Sequence, residues 1–301
     1  MAPMSTATKP APSIPAYAQL QPDPAFPLIA PAQLPAKPAA AGQPGLSAEQ
    51  LACFHERGWV LVRGFADQTT VARLSQEADG LHERMAEPGA DERHRVGTSW
   101  EEHEDPTRPK RVRQLMGSER VCPTIDALSR SDAMLAIMRQ LIGPDVYLFH
   151  SKLMMKAAKE GSFTPWHQDY QYWQFESLLP TQVNCMVYID GADEGNGCLH
   201  MIDGTQRGGL LPIHRIASKS FSIGLQGGLE DWASTPIPVQ PGDAIIFGSY
   251  VIHGSGPNTS DRHRRANTFA FDRPCNVRPT KGDEALPLEF HRCGRTDPRS
   301  R

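Results

Sequence analysis

Three residues set the chemistry open to this chain. His167 and Asp169 form a His-x-Asp pair inside Thr164-Pro165-Trp166-His167-Gln168-Asp169-Tyr170. His253 comes much later, in Val251-Ile252-His253-Gly254-Ser255-Gly256-Pro257-Asn258. If the first stretch is a strand, residues two apart project from one face, and the imidazole and carboxylate could grip one metal ion side by side. With 11 histidines in the chain, about one His-x-Asp is expected by composition alone. The compound pattern is far rarer: a near pair, a distant second histidine, and Arg264 eleven residues beyond it.

Two imidazoles and one carboxylate with open positions opposite are the donor set of non-haem Fe(II) oxygenases. Such an iron must hold a bidentate co-substrate and still accept dioxygen, so a fourth protein ligand would be one too many. Zinc is the competitor, because three protein ligands and a water make a hydrolytic centre. Zinc leaves the arginine unexplained. Arg264 opens a run whose same-face neighbours, Ala266, Thr268 and Ala270, are small. That leaves room for an inward guanidinium, and a buried arginine needs an anion, whose carboxylate form its planar fork fits.

The elements that must place these groups are legible in part. Ser47-Ala48-Glu49-Gln50 reads as a capping box opening a helix that runs to about Arg57 and stops at Gly58. Trp59–Val62 reads as a strand, and Asp67 caps a second helix with Val71, Leu74, Ala78 and Leu81 at helical spacing. Residues 90–121 are polar and irregular, the pattern of a long loop covering a site. Ser131 caps a third helix that ends at Gly143-Pro144. Strand-like runs then follow: 146–155, 183–189, 198–202, 237–239, 244–247 and 267–271, separated by Gly, Pro, Asp and Asn turns. Helices first and short strands later predict an α+β fold with a mainly β core, a barrel or sandwich buttressed by helices.

The bulk properties narrow the class. The chain has 301 residues, 39% hydrophobic and 22% charged, with a net charge of −3. That suits an enzyme with a sizeable core and gives no overall positive field for nucleic acid or anionic membrane. No run reaches the roughly 20 apolar residues of a membrane span. The six cysteines form no C-x-x-C pair, which fits a reducing compartment, and a cytoplasmic location is expected. Residues 1–45 hold 11 of the 27 prolines and predict a disordered or loosely draped segment. Residues 46–301 are then expected to form one catalytic domain.

At this point the sequence resembles the phytanoyl-CoA dioxygenase family of Fe(II)- and 2-oxoglutarate-dependent oxygenases, in particular its ectoine hydroxylases. The resemblance covers about residues 46–280. It rests on the helix before Gly58-Trp59-Val60, Trp166-His167-Gln168-Asp169, Asn196-Gly197-Cys198-Leu199 before Gly204-Thr205, Pro241-Gly242-Asp243, and His253-Gly254-Ser255-Gly256-Pro257-Asn258 with Arg264. It departs from the family at Asp203-Gly204-Thr205-Gln206, where Pro and His of a Pro-Gly-Ser/Thr-His segment are missing. The resemblance implies a double-stranded β-helix, the jelly-roll or cupin-like core. It implies that His167, Asp169 and His253 bind iron and act in catalysis. Arg264 would pair with the far carboxylate of 2-oxoglutarate, helped by Ser255, and Asn184 would also contact this co-substrate.

The implied reaction hydroxylates an unactivated C–H bond of a small molecule, amino-acid-like or a secondary metabolite, with release of succinate and carbon dioxide. O2 is consumed, and ascorbate would serve as reductant. Asp169 favours hydroxylation over halogenation, since related halogenases lack the carboxylate. Lys152, Gln171 and Trp173 are the expected substrate contacts, the last two on the face of His167 and Asp169 if the strand stays regular. A lysine and an aromatic there suggest an anionic or zwitterionic substrate. Desaturation, epimerisation or cyclisation by the same oxidant, a non-catalytic binding barrel, and a zinc hydrolase are the alternatives.

Overall fold

The computed structural model describes residues 39–40, 42–86, 98–101, 111–215, 223–225, 229 and 232–276. The expected N-terminal disordered segment lies almost wholly outside these residues, as do residues 90–97 and 102–110 of the expected loop.

Helix α1 (Ala48–Arg57) opens on the capping box and closes where Gly58 turns left-handed at φ 86°, a conformation that costs glycine little. Strand β1 (Trp59–Val62) follows, then α2 (Gln68–Ala86), whose start is fixed by Asp67 Oδ1 accepting from Thr70 N at 2.7 Å. Next come β2 (Thr98–Trp100) and β3 (Val112–Met116). Helices α3 (Pro123–Ser129) and α4 (Asp132–Ile142) follow, with Ser131 capping α4.

The remaining chain is mostly β. It comprises β4 (Tyr147–Lys156), β5 (Thr164–His167), a one-turn helix α5 (Tyr170–Trp173), β6 (Val183–Tyr188), β7 (Leu199–Met201), β8 (Ile213–Arg215) and β9 (Ile223–Leu225). Strands β10 (Thr235–Ile237), β11 (Ala244–Gly248), β12 (His253–Ser255) and β13 (Arg264–Asp272) complete it. Seven strands form one sheet in the order β1-β11-β6-β13-β4-β3-β2, four form a second in the order β10-β7-β12-β5, and β8 and β9 form a ribbon. Within the named ladders, every pairing is antiparallel. Two facing antiparallel sheets with helices outside the larger one are the expected jelly-roll, α+β arrangement.

The expected 90–121 loop needs correction. Its described part contains β2 and β3, which extend the large sheet. Charges at Arg111 and Arg113 conceal the β3 alternation in the sequence, because Gln114 and Met116 lie opposite Met154 and Lys152 while Leu115 pairs with Leu153 in the core.

The large sheet is buried on both faces, which is why β6 reads as an almost unbroken apolar run. Its outer face, through Leu153, Cys185, Ile246 and Phe269, packs against Phe54, Leu74, Met138 and Leu141 of the helices. Its inner face, through Met186, Tyr188, Ile245 and Phe247, packs against Leu199 and Met201 of the small sheet. The site lies between the sheets. Among the described residues no helix is long and apolar enough to cross a membrane.

Candidate active site

His167 ends β5 and stands directly opposite His253 on β12. Residues opposed across a ladder share a face, so a separation of 86 residues collapses to two imidazoles with centroids 4.1 Å apart. Each ring is oriented the same way: Nδ1 of His167 meets Pro165 O at 2.8 Å, and Nδ1 of His253 meets Val251 O at 2.9 Å. A carbonyl only accepts, so Nδ1 carries the proton in both rings and Nε2 is left as the ligand atom.

Asp169 completes the group. Its Oδ1 lies 3.5 Å from His167 Nε2 and its Oδ2 3.7 Å from His253 Nε2. All three ligand atoms lie within 4.8 Å of one another, in buried residues, the arrangement that could hold one metal ion. Burial pushes the Asp169 carboxyl up, but His253, His167 and Lys152 outweigh it and hold the group well below the usual carboxylate range. Burial and His167, against Asp169, push His253 down to about 4. Asp169 is therefore an anion and His253 a neutral imidazole near neutral pH, a protonation state that suits metal binding.

The strand reading of the ligand segment is corrected here. Strand β5 stops at His167, and Asp169 has helical dihedrals, φ −61° and ψ −33°, ahead of α5. The clamp is Gln168, fully buried between the ligands. Its Nε2 donates to Gly209 O and Tyr250 O at 2.7 and 2.8 Å, and its Oε1 accepts from Leu211 N at 2.8 Å. With the chain turned into α5, Gln171 and Trp173 no longer share a strand face with the ligands. Gln171 instead braces the turn, accepting from Gln168 N and donating to Leu211 O. Trp173 packs edge-on against Phe149 and His150, with centroids 5.6 and 5.3 Å away.

Arg264 is buried on the inner face of β13, as its small neighbours predict. Nε and Nη2 donate to Gly197 O at 3.1 and 2.9 Å, and Nη2 approaches Ser255 Oγ at 3.4 Å. Nη1 has no partner among the described residues. An unpaired buried guanidinium nitrogen marks a place for an anion. Gly197 sits left-handed at φ 79°, and a Cβ there would come within 2.5 Å of Gly256 O, so only glycine presents that carbonyl to Arg264.

Asn184, expected at the co-substrate, donates from Nδ2 to Asp169 Oδ2 at 2.8 Å. Lys152 is half-buried on the inner face of β4. Burial and Arg113 lower its ammonium while Asp169 opposes them.

Two features were missed in the sequence. Lys156 stands opposite Arg264 across β4 and β13 and donates to Ser162 O and Gly256 O at 2.6 and 2.7 Å. Burial first, then Arg264 and Arg113, push it down to about 6 against Glu101. Only the strand register reveals that pairing. The second is the loop that departs from the family pattern. Asp203 accepts from Arg57 Nε and Trp59 Nε1, Thr205 Oγ1 accepts from Ile252 N at 2.9 Å, and Gln206 Nε2 donates to His55 O. The substituted loop thus holds the residue beside His253.

A family model described as phytanoyl-CoA dioxygenase (PhyH) matches residues 54–266, more than half of the chain. The chain belongs to the phytanoyl-CoA dioxygenase family. Among curated relatives, this dioxygenase is 29% identical over 185 residues to an L-proline trans-4-hydroxylase of Streptomyces griseoviridis, covering 55% of this chain and 69% of that protein. It is 25% identical over 248 residues to an ectoine dioxygenase of Bordetella parapertussis, covering 74% of each. Among solved structures, EctD from S. alaskensis with 2-oxoglutarate and 5-hydroxyectoine superposes with a TM-score of 0.66 at 19% identity, covering 89% of this chain and 91% of that one. That likeness bears on the fold, which it shares.

Proposed function

We propose that this dioxygenase uses Fe(II) and 2-oxoglutarate to hydroxylate an unactivated C–H bond of a small anionic or zwitterionic molecule. The observation that carries the reading is the conjunction of the His167–Asp169–His253 group with the unpaired Nη1 of Arg264. A hydrolytic zinc site needs the first but not the second.

The donor set fits iron. Two Nε2 atoms and one carboxylate would hold it, and Asn184 fixes the carboxylate by taking one lone pair of Oδ2. A diacid fits the remainder. His253 and Ser255 are two residues apart on β12, a step of roughly 6.7 Å, about the reach of a five-carbon diacid from a metal to the Arg264–Ser255 corner. Arg264 and Lys156 would take the far carboxylate, with Ser255 steering it. Bound together, iron and 2-oxoglutarate would supply the oxidation, in which the co-substrate loses carbon dioxide and takes one oxygen atom of O2 to become succinate while the other enters the substrate. The chain's own contribution is to orient both imidazoles, keep Asp169 ionised, and exclude water between the two sheets. Lys152 on β4 is the residue suited to an anionic group of the substrate. Ascorbate would keep the metal ferrous. Residues 46–301 are read as one catalytic domain, and the thiols of Cys53, Cys185 and Cys198 support a cytoplasmic setting.

The test is succinate release from 2-oxoglutarate in air with added Fe(II) and ascorbate. Release that needs both iron and oxygen is the expected outcome. Hydrolysis of an ester without oxygen would favour the zinc reading, and neither turnover nor iron uptake would favour a binding barrel.

A further inference from the structure

Beside Arg264 Nη1 a second buried donor has no partner among the described residues: the hydroxyl of Tyr188. Tyr188 ends β6 and pairs with Ala266 on β13, the inner-face residue two positions after Arg264. The guanidinium carbon of Arg264 lies 5.9 Å from the centre of the Tyr188 ring. Across the space between the sheets, Tyr188 shares an apolar cluster with Leu199 of β7. Leu199 pairs with Ser255 of β12, whose Oγ is 3.4 Å from Arg264 Nη2. Tyr188, Arg264 and Ser255 therefore surround one small region, to which Ala266 adds only a methyl group.

The hydroxyl is out of place in its cluster. The other members include Met186, Leu199, Met201, Ile245 and Ala266, whose side chains offer it no good acceptor. A buried hydroxyl without a partner costs free energy, so a phenylalanine would suit the empty protein better. Burial, opposed by Arg264 and reinforced by Cys198, pushes the Tyr188 phenol up to about 12. The hydroxyl therefore keeps its proton at physiological pH and can donate it. Tyr188 and Arg264 cannot satisfy each other. If the phenol oxygen accepts from Nη1, its own proton still lacks an acceptor, because a guanidinium has none. Both donors are met only by an acceptor from outside the chain, and beside a cation that acceptor is best a carboxylate.

We propose that Tyr188 is a further co-substrate-binding residue, whose hydroxyl donates to the far carboxylate of 2-oxoglutarate beside Arg264 Nη1. The assignment rests on the cavity being the oxygenase site, and its test keeps the two apart. Tyr188 then acts with opposite signs in the two states. In the empty protein its hydroxyl is an unmatched group and lowers stability. In the complex the same hydroxyl makes a hydrogen bond to an anion, the stronger kind. It also separates oxo acids by their second carboxylate, since an oxo acid without one leaves the hydroxyl unmatched.

Tyr188→Phe deletes the oxygen and keeps the ring, so two readouts should move in opposite directions. Without metal or co-substrate, the variant should melt roughly 2–4 °C above wild type. Its 2-oxoglutarate affinity, titrated anaerobically with Fe(II) through the visible charge-transfer band, should fall about tenfold or more. Fe(II) affinity, read by metal titration, should not change. 2-Oxopentanoate, the five-carbon oxo acid without the far carboxylate, should bind wild type and variant alike. A variant that binds 2-oxoglutarate as tightly as wild type would overturn the assignment. So would equal losses for 2-oxoglutarate and 2-oxopentanoate, or a lower melting temperature, since either makes the hydroxyl a structural group. Failure of the band to form with 2-oxoglutarate in wild-type protein would instead overturn the co-substrate reading.

Discussion

Co-substrate binding should take up a proton at Lys156. This lysine is buried opposite Arg264, and its folded pKa of about 6 lies far below the ordinary lysine value. In the free enzyme at pH 8, roughly one Lys156 in a hundred is then charged. A carboxylate placed between Lys156 and Arg264 favours the charged form. Binding must therefore recruit a proton, and the cost grows by about 1.4 kcal/mol for each pH unit above 6. The direction is a loss of affinity as pH rises: about fivefold from pH 6 to 7, nearly tenfold from pH 7 to 8, and so about 50-fold between pH 6 and 8. Anaerobic calorimetry with Fe(II), in two buffers of different ionisation enthalpy, reads both the affinity and the proton count. Wild-type protein should take up close to one proton at pH 8. Lys156→Met should bind with no pH dependence at about the wild-type high-pH strength, and Lys156→Arg should bind tightly at all pH values. A wild-type affinity that is flat from pH 6 to 8 with no proton uptake would refute the reasoning.

Other expectations follow from the same contacts. Asp169→Ala should abolish hydroxylation and iron binding; wild-type turnover by that variant would remove the metal assignment. Arg264→Ala should raise the 2-oxoglutarate concentration needed for half-maximal rate by roughly 10²-fold, since a charge-assisted pair is worth about 1.5–3 kcal/mol, and an unchanged requirement counts against its role. Asn184→Ala should weaken Fe(II) affinity about 10–100-fold, the usual effect of losing a ligand's orienting partner, as read by metal titration. Gly197→Ala should lower thermal stability by about 1–2 kcal/mol from left-handed strain alone and weaken 2-oxoglutarate binding with it, because the Gly197 carbonyl anchors Arg264; calorimetric melting and binding of the same variant check both.

What the sequence carried was local chemistry. The Ser47 capping box, the Gly58 stop, the Ser131 cap and the small residues after Arg264 each act within a few positions, and each is where the sequence places it. His167, Asp169 and His253 were legible as a candidate metal site because their types are rare in combination. What was hidden depends on register or on backbone reversal. The turn at Asp169 is imposed by Gln168, whose three hydrogen bonds reach residues 41, 43 and 82 positions away, and no local periodicity encodes it. That reversal removed Gln171 and Trp173 from the ligand face. Lys156 acquires meaning only from its cross-strand neighbour, Arg264. Strand β3 was masked by Arg111 just before it and by its own Arg113, which is buried and donates to Ser162 Oγ at 3.0 Å.

The central claim is that one ferrous ion is held by His167, Asp169 and His253, with the far end of 2-oxoglutarate at Arg264. A crystal structure of the anaerobic complex, with anomalous differences recorded at the iron edge, addresses it directly. The account predicts a single strong peak bounded by His167 Nε2, His253 Nε2 and an Asp169 oxygen, with the diacid running from it to Arg264 Nη1. An iron peak elsewhere, or a diacid that leaves Arg264 Nη1 unpaired, would contradict it.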